Sequence, residues 1–346
     1  MRIAIDVMSG DNAPLELIKG AYEASLENDA DIILCGDEGI INYVAFQNDI
    51  DIQKMKICHA PQVIVMEDNA LCVMKEKRDS SMAVGLDMLA NGEVDAFISA
   101  GNTGALLAGA TLIVRRIKGI KRAAIATVLP FSPPVLLVDS GANVEVSAKD
   151  LVQFSVMGSV YAQRLFSIPS ARVGLLNNGT EATKGTAVTK EAYTLLSECE
   201  AIDFVGNIES RTIPFDSCDV LACDGFSGNL ILKFAEGMGA LMIKTMKDMF
   251  TKNTLTKLSA LAMKSKLSDI KKTFDASEYG GAPLLGISKP VIKAHGSSDA
   301  FAIKNAVKQA INYAKSGAIR DIARYIKTEE EKSSESNSTD QSQKID

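Results

Sequence analysis

The sequence predicts an α/β protein with a mostly parallel sheet and helices on both of its faces. Short apolar runs rich in β-branched residues alternate with amphipathic helical stretches along the first 327 residues. The apolar runs show no polar alternation, which is typical of strands that are covered on both faces. Apolar residues make up 47% of the 346 residues, which is enough for a large buried core.

Each element follows from its residue pattern. The apolar runs predict strands at Ile3–Val7, Ile32–Cys35, Val63–Val65, Ala96–Ser99, Ala124–Val128, Val135–Asp139, Val173–Leu176, Phe204–Val205 and Val220–Ala222. Stretches with apolar residues at three- and four-residue spacing predict helices over residues 14–28, 79–91, 103–117, 148–166, 181–197 and 228–250. A further helix is expected after His295, ending at about Ser316. This order is the β-α-β rhythm of a parallel sheet.

We expect one α/β domain over residues 1–327 and a disordered polar tail over residues 328–346. The tail is rich in Ser, Glu, Gln and Asn and has no aromatic residue, so it cannot bury enough apolar surface to offset its ordering entropy. It also carries most of the net charge of −6. The nearly neutral remainder argues against nucleic acid as a partner, because phosphate-backbone binding needs a concentrated basic face.

Composition excludes several other classes of protein. Six cysteines without a C-x-x-C pair predict reduced core thiols in a cytoplasmic protein. With only two histidines, His59 and His295, a His-rich metal site is excluded, and we expect no metal or cofactor. No apolar run approaches the roughly 18 residues that span a bilayer. The N-terminus enters a strand pattern at once and shows no signal peptide.

Polar turns that contain glycine follow several of the predicted strands. These turns lie at residues 6–11, 99–104, 139–143, 177–181 and 224–229. Glycine lets the backbone approach a ligand, and a helix N-terminus offers free N–H groups and a positive dipole end. One such turn is ordinary in an α/β protein, since its polar residues are also helix caps. We interpret the set as a shared anion site at the carboxyl ends of the strands, with Lys184 one turn into a helix.

Familiar nucleotide and nucleophile signatures are absent. Residues 101–104 are not G-x-G-x-x-G, residues 179–184 are not a Walker loop, and residues 225–228 are not a nucleophile elbow. Cys223 stands next to the 224–229 turn, but packing is the simpler role for it. The apolar glycine-rich segment 279–286 is consistent with either an acyl or pantetheine channel or a tight turn.

Residues 238–272 predict a basic amphipathic helical segment that protrudes from the domain. Lysines strongly outnumber acids over residues 244–272, and leucines recur there at about helical spacing. Such a helix can lie on an anionic membrane or bind an acidic protein. A solvated lysine face over a dimer or domain contact explains the pattern equally well.

Taken together, the turns resemble the motifs of the bacterial phosphate acyltransferase (PlsX) family. The matching sequences are DVMSGD at 6–11, SAGNTGA at 99–105, DSGAN at 139–143, LLNNGTE at 175–181, DGFSGN at 224–229, YGGAPLLG at 279–286 and HGSS at 295–298. The similarity runs from residue 1 to about residue 325. Two positions depart from the family pattern: Ser9 stands where a second glycine is usual, and Ala70-Leu71 replaces Pro-Ala.

The resemblance implies a fold and an activity. The fold is a Rossmann-like α/β/α sandwich of the isocitrate/isopropylmalate dehydrogenase type. The activity is transfer of a long-chain fatty acyl group from an acyl carrier protein thioester to inorganic phosphate, giving acyl phosphate for phospholipid synthesis. The resemblance also implies a homodimer in the cytoplasm. Peripheral contact with the membrane and a downstream glycerol-3-phosphate acyltransferase are consistent with it.

The resemblance and the turn chemistry together select candidate site residues. The catalytic candidates are Lys184, Asp224, Asn229 and His295. Lys184 and His295 would bind phosphate or neutralise its charge, and the sequence leaves open which of the two contacts it. Hydrogen bonds to phosphate or to the oxyanion would come from Asn102, Asn178 and Asn229, and Asp224 would orient a donor. The candidate substrate-binding residues are Asp6, Gly101, Asn102, Thr103, Asn178, Gly179, Ser227 and Gly228. This hypothesis requires the turns at 99–105, 177–185 and 224–229 to surround one small pocket.

Three other functions are weighed against this one. The first is a short-chain phosphotransacetylase that uses acetyl-coenzyme A. The second is a dehydrogenase on the same fold, which would need an arginine cluster and metal-binding aspartates near the glycine turns, and the sequence suggests neither. The third is a non-catalytic scaffold that binds membrane and an acidic carrier protein through residues 244–272.

Overall fold

The computed structural model describes residues 1–252 and 278–328. The strands are β1 (Arg2–Asp6), β2 (Asp31–Gly36), β3 (Lys56–His59), β4 (Ala96–Ser99), β5 (Ala124–Leu129), β6 (Val135–Val138), β7 (Arg172–Asn177), β8 (Asp203–Glu209), β9 (Val220–Ala222), β10 (Ala282–Leu285) and β11 (Val291–Lys293). The α-helices are α1 (Leu15–Glu27), α2 (Glu38–Gln47), α3 (Ser81–Asn91), α4 (Thr103–Gly109), α5 (Ala148–Leu165), α6 (Ala187–Ser197), α7 (Gly225–Thr251) and α8 (Ala300–Ser316).

The strands form one mixed sheet in the order β3-β2-β1-β4-β11-β10-β5-β6-β9-β7-β8. The outer strands on each side pair in parallel. The three central pairings, β11 with β10, β10 with β5 and β5 with β6, are antiparallel. Because three reversals lie between them, the parallel strands of one half run opposite to those of the other half.

The polar turns therefore divide between two ends of the sheet. The carboxyl ends of β1, β4 and β11 form what we call the Asp6 end, with residues 6–12, 99–104 and 293–298. The carboxyl ends of β6, β9 and β7 form the Asp139 end, with residues 139–143, 223–229 and 177–186. The expectation that all these turns meet at one edge is wrong, since it assumed that every strand runs in the same direction.

Alternation along the strands buries both faces of the sheet. Ile3 and Ile5 of β1 face the cluster that contains α1, α5 and α8, whereas Ala4 faces the cluster that contains α3 and α4. All three residues are fully buried. This confirms the predicted α/β/α layering, because apolar strands without alternation need helices on both sides.

Several predicted elements differ in the structure. Residues 63–65 form no strand, because side chains satisfy this backbone: the Lys77 ammonium donates to the Val63 carbonyl at 2.8 Å, and the Asp68 carboxylate accepts from the Val65 N–H at 2.7 Å. The segment 279–286 contains β10 rather than a free loop, because it pairs with β11 and β5. The helix predicted from residue 181 begins at Ala187, where the Thr186 hydroxyl caps it and Gly185 has φ +91°.

Helix α7 is longer than predicted and mostly exposed. It begins at Gly225, and only Gly225, Gly228 and Gly239 of its residues are buried. A stripe of apolar side chains along it is exposed, comprising Phe226, Leu230, Phe234, Met238, Leu241, Met242 and Met249. The rest of the predicted basic segment (253–272) and the tail from residue 329 lie outside the described residues. Within the described ranges, no helix combines the length and apolar composition needed to cross a bilayer.

Candidate active site

The turn after β6 is built around the buried carboxylate of Asp139. Asp139 is fully buried. Its Oδ1 accepts hydrogen bonds from the backbone N–H groups of Ile125, Gly141 and Ala142 at 2.9–3.1 Å. Its Oδ2 accepts from the backbone N–H and the side-chain amide of Asn143 at 2.7 and 2.8 Å. Burial raises the pKa of Asp139, and these donors act in the opposite direction. The carboxylate therefore fixes the turn.

Helix α7 starts against this turn, and two glycines make the approach possible. A Cβ on Gly228 would lie 1.9 Å from the Asp139 carbonyl oxygen, and one on Gly225 would lie 2.8 Å from the Asn143 backbone. The Asp224 carboxylate caps the helix by accepting from the Ser227 N–H and hydroxyl, both at 2.8 Å. The two glycines thus place the N-terminus of α7 directly against the β6 turn.

Asn229 lies in the second turn of α7 and faces the same β6 turn. Its side-chain atoms lie 3.7–3.9 Å from the position that a Cβ on Gly141 would occupy. The structure thus brings Asp224, Ser227, Gly228 and Asn229 together at the Asp139 end, beside the positive end of a long helix dipole.

The turn after β7 presents Lys184 at the same end of the neighbouring strand. The aliphatic part of Lys184 lies against Gly179, where a Cβ would be 2.8 Å from Lys184 Cγ. The Asn177 amide donates to the Lys184 carbonyl at 3.2 Å and so closes the turn. Lys184 and Asn178 are exposed, and no acidic side chain of the described residues pairs with Lys184. A free ammonium group therefore stands at the carboxyl end of β7.

A cavity of about 330 Å³ lies on the other side of the β6 turn. Its lining residues are Leu107, Thr111, Arg116, Lys121, Arg122, Ala123 and Asn143. Thr111 belongs to a wider π-type helical turn, Ala110–Val114, that extends α4. Such turns occur frequently at functional sites. Two arginines therefore lie near a glycine turn, contrary to the sequence-based expectation that no arginine cluster does.

The Asp6 end has its own buried polar network. Asp6 is fully buried and accepts a hydrogen bond from the Ser99 hydroxyl at 2.8 Å. Ser99 in turn accepts from the Gly101 N–H at 3.1 Å. The buried Ser9 side chain lies where a Cβ on Gly101 would be only 2.7 Å away. Asp6 and Gly101 therefore order the backbone of this end, and the Ser9 side chain fills the space next to Gly101.

Two further candidates at this end have structural partners. The Asn102 amide donates to the carbonyls of Met66 and Asp68 at 2.9 and 3.2 Å, and its oxygen caps α4 by accepting from the Ala105 N–H. Thr103 is the first residue of α4. His295 is exposed, and its Nδ1 lies 2.8 Å from the Ser297 hydroxyl. Asn102 thus joins the 65–68 loop to α4.

Sequence reasoning missed Lys293, the last residue of β11. Its ammonium group donates to the carbonyls of Ala100, at 3.1 Å, and of Ala294. Burial lowers the pKa of Lys293 to about 8, while the nearby carboxylates of Asp6 and Asp11 act to raise it. The sequence did contain a signal for Lys293, because this lysine ends an apolar run shortly before the HGSS motif.

The lowered pKa predicts that Lys293 makes the free energy of unfolding rise with pH above 8. Between pH 8 and about 10.4 the unfolded chain holds the proton that the native state has lost, so deprotonation favours the native state. Urea unfolding at pH 7 and at pH 9.5 measures this effect in the wild type and in Lys293→Met. Over this pH range the free energy of unfolding of the wild type should rise by about 1–2 kcal/mol more than that of the variant. A difference that stays constant over this range would contradict the assigned pKa.

The candidate residues do not share one pocket. Five strand spacings, about 24 Å, separate β11 from β7, and the same number separate β4 from β9. His295 therefore cannot contact the phosphate that Lys184 contacts, and the 99–105 turn cannot join the 224–229 turn. The prediction of a single pocket was wrong because the antiparallel strands β10 and β5 separate two oppositely directed halves.

The cysteines are all reduced, and most of them pack in the core. Cys35, Cys72, Cys218 and Cys223 are buried. Burial raises the pKa of the Cys223 thiol well above its usual value, and its sulfur lies 3.4 Å from the Asp139 carbonyl oxygen. Cys223 is therefore a packing residue and not a nucleophile at the Asp139 end.

Of the two partly buried cysteines, Cys199 and Cys58, we expect Cys58 to be alkylated first. It pairs in register with Cys35 and is half-buried. A hydrogen bond from Cys35 lowers the pKa of Cys58 to about 7, so most of it is thiolate at pH 8. Limited iodoacetamide treatment followed by peptide mass mapping should find Cys58 modified before Cys199, and Cys35→Ala should slow its reaction. Equal rates at Cys58 and Cys199 would contradict this.

Similarity to known proteins identifies the family of the chain. The family model described as "Fatty acid synthesis protein" matches residues 1–321. A phosphate acyltransferase of Thermoanaerobacter pseudethanolicus is 47% identical over 331 residues, covering 95% of this chain and 97% of that protein. The chain belongs to the phosphate acyltransferase family. It is an acyltransferase, as the motifs implied.

Another relative and the solved structures extend the comparison. The phosphate acyltransferase of Clostridioides difficile is 40% identical, covering 97% of this chain and 99% of that protein. The fold is shared with a phosphotransacetylase from Streptococcus pyogenes, at a TM-score of 0.62, 17% identity, and coverage of 92% of this chain and 94% of that one. The phosphate acyltransferase fold thus resembles that of phosphotransacetylases.

Proposed function

We propose that this phosphate acyltransferase transfers a long-chain fatty acyl group from an acyl carrier protein thioester to inorganic phosphate. The product is acyl phosphate, a mixed anhydride that supplies phospholipid synthesis. The observation that carries this proposal is the Asp139 end, where a free lysine and the N-terminus of α7 lie on neighbouring strands. Together with family membership, this grouping favours a site that holds phosphate beside a reactive carbonyl.

The proposed reaction is direct attack. A phosphate oxygen attacks the thioester carbonyl carbon, the C–S bond breaks, and the carrier thiolate leaves and takes up a proton. Holding phosphate aligned with the carbonyl can supply up to about 7–11 kcal/mol of the barrier in favourable cases. The oxyanion that forms during attack needs hydrogen-bond donors that are already in place. No covalent acyl-enzyme is required.

The side chains at the Asp139 end have distinct roles in this proposal. The ammonium group of Lys184 neutralises phosphate, and Asn178 with Gly179 shapes its turn. The Asn229 amide and the positive end of α7 stabilise the oxyanion. Asp224 orients the Ser227 hydroxyl through their 2.8 Å hydrogen bond, and Gly228 permits the close packing. Of the two candidate phosphate contacts, the strand directions favour Lys184 over His295.

The residues of the Asp6 end have a supporting role. Asp6, Gly101, Asn102 and Thr103 order the loops from which α4 begins. Helix α4 and its π-type extension then reach the cavity beside Asn143. We therefore place these four residues and His295 outside the reacting site.

We also propose partners that the exposed face of α7 would suit. An apolar stripe on a long exposed helix is typical of an interface, and a second copy of the chain is the occupant that family membership favours. Peripheral contact with the inner face of the membrane and delivery of acyl phosphate to a glycerol-3-phosphate acyltransferase agree with the basic segment that follows. These proposals place the enzyme in the cytoplasm.

The main rival is a short-chain phosphotransacetylase, which shares the fold. Purified protein should be incubated with phosphate and either palmitoyl carrier protein or acetyl-coenzyme A, and the products identified by mass. We expect palmitoyl phosphate with the first donor and much slower turnover with the second. Preferential formation of acetyl phosphate would support the rival. Carrier-protein binding without turnover would instead support a scaffold.

A further inference from the structure

Residues 115–122 form a basic loop that the proposed function has not used. Its cations are Arg115, Arg116, Lys118, Lys121 and Arg122, all of them exposed, and it contains no acidic residue. Five cations in eight residues repel one another unless an anion is present. Arg122 pairs with Asp150 at 3.6 Å, and no other ion pair forms from this loop among the described residues.

The loop is held rigidly. Ile117 and Ile120 are buried as anchors. The Ile117 N–H donates to the Gly286 carbonyl at 2.9 Å, and the Arg116 guanidinium donates to the Lys121 carbonyl. The Gln153 amide donates to Gly119 and accepts from the Lys121 N–H, at 2.9 and 3.0 Å. The chain thus fixes the backbone that carries these cations, which lowers the entropy lost on binding an anion.

Three of these cations line the 330 Å³ cavity together, beside Asn143 of the β6 turn. Arg116, Lys121 and Arg122 lie there with Thr111, a hydroxyl-bearing residue of the π-type turn. Charged guanidinium and ammonium donors beside a hydroxyl are groups that bind phosphate esters. The apolar side of Leu107 completes the wall.

The cavity lies in line with the proposed reacting site. Along the Asp139 end the order is β7 with Lys184, β9 with Asn229, β6 with Asn143, and then the start of β5 next to Arg122 and Ala123. Three strand spacings, about 14 Å, separate β7 from β5. An extended pantetheine arm covers such a distance from its phosphodiester to its thioester.

We infer that this cavity binds the phosphodiester at the base of the carrier protein's pantetheine arm, which rests on the proposed function. The arm would run from the cavity past Asn143 toward Asn229, so that its thioester meets the phosphate held by Lys184. The cavity then selects donors with a phosphorylated arm, whereas Lys184 selects the inorganic phosphate.

The loop provides a matched pair of variants. Lys121 lines the cavity and Lys118 does not, although both lie on the same loop, are exposed and carry one charge. Lys121→Gln should raise KM for palmitoyl carrier protein about tenfold, which is the loss of one charge-assisted hydrogen bond. Its KM for inorganic phosphate, and for palmitoyl pantetheine without the phosphate, should change less than twofold. Lys118→Gln should change none of the three.

Calorimetric titration with free phosphopantetheine gives a readout that does not need turnover. Lys121→Gln should weaken its binding about tenfold and leave pantetheine binding unchanged. If Lys121→Gln and Lys118→Gln weakened binding equally, the inference would be overturned, because the loop would then only attract an acidic protein by its general charge. A raised KM for inorganic phosphate in Lys121→Gln would also overturn it, because the cavity would then bind inorganic phosphate and not the pantetheine arm. If wild type forms no acyl phosphate but binds phosphopantetheine as described, the proposed function fails and the cavity assignment stands.

Discussion

Lys184→Ala and Asn229→Ala should each lower kcat/KM for phosphate-dependent release of carrier-protein thiol by about 100-fold or more. Each removes a charge or donor at the point where phosphate attacks, and the loss of one such preorganised donor typically costs 10²–10³-fold in rate. Lys184→Ala should act mainly through KM for phosphate, since the ammonium also binds the ground state. Asn229→Ala should act mainly through kcat, since its amide serves the oxyanion.

His295→Ala is the control for this pair. His295 was the other candidate for phosphate contact, yet it lies at the Asp6 end, five strand spacings from β7. Its variant should keep kcat and KM for phosphate within about twofold of wild type. If His295→Ala lost activity while Lys184→Ala kept it, phosphate would bind at the other end of the sheet.

Asp139→Ala should have the largest effect on stability, lowering the free energy of unfolding by about 3–5 kcal/mol. The fully buried carboxylate accepts five hydrogen bonds from N–H groups. Removing it leaves those donors buried without partners and opens a gap beneath Gly225 and Gly228 of α7. Because α7 packs on this turn, activity should be lost as well.

Urea unfolding measures this prediction, with Asp37→Ala as the control. Asp37 caps the exposed start of α2 and accepts a single N–H at 2.9 Å, so its loss should cost only about 1 kcal/mol. An Asp139→Ala variant no less stable than Asp37→Ala would show that the β6 turn does not depend on the buried carboxylate.

Local structure was predictable because it depends on nearby residues. Capping residues and glycines mark the turns after β4, β7 and β9, and the helices after them start within a few residues of the predicted positions, except α6. Gly185 and Thr186 place the start of α6 at Ala187. The polar residues from 181 onward include good helix formers, so the sequence pattern predicted an earlier start. Residues 282–285 were not predicted as a strand, since Gly281 and Gly286 flank them and Pro283 lies within them.

Strand direction was not predictable in the same way. It depends on β10 pairing antiparallel with β11 and β5, partners about 160 residues apart in the second case. A local pattern does not contain such a pairing, so the two ends of the sheet were merged into one site. The structure keeps Asp224, Ser227, Gly228 and Asn229 together, because these residues belong to the start of one helix, α7.

The residues whose roles sequence analysis missed differ in how much of the role the sequence itself indicates. Five cations without an acid over residues 115–122 were evident in the sequence, yet only the fold shows that three of them line one cavity. Asp139 was noted as a turn residue, but its burial depends on Gly225 and Gly228 arriving from a distant segment. Lys293 is partly buried because β4 and β10 lie on either side of β11.

Locating bound arsenate, a phosphate analogue with an anomalous signal, would decide which end of the sheet holds the substrate. Crystals of wild-type enzyme without acyl donor should show arsenate within hydrogen-bonding distance of Lys184 Nζ, between the β7 turn and the start of α7. The peak should vanish in Lys184→Ala. Arsenate bound beside His295, with none at the Asp139 end, would contradict the placement of the reaction.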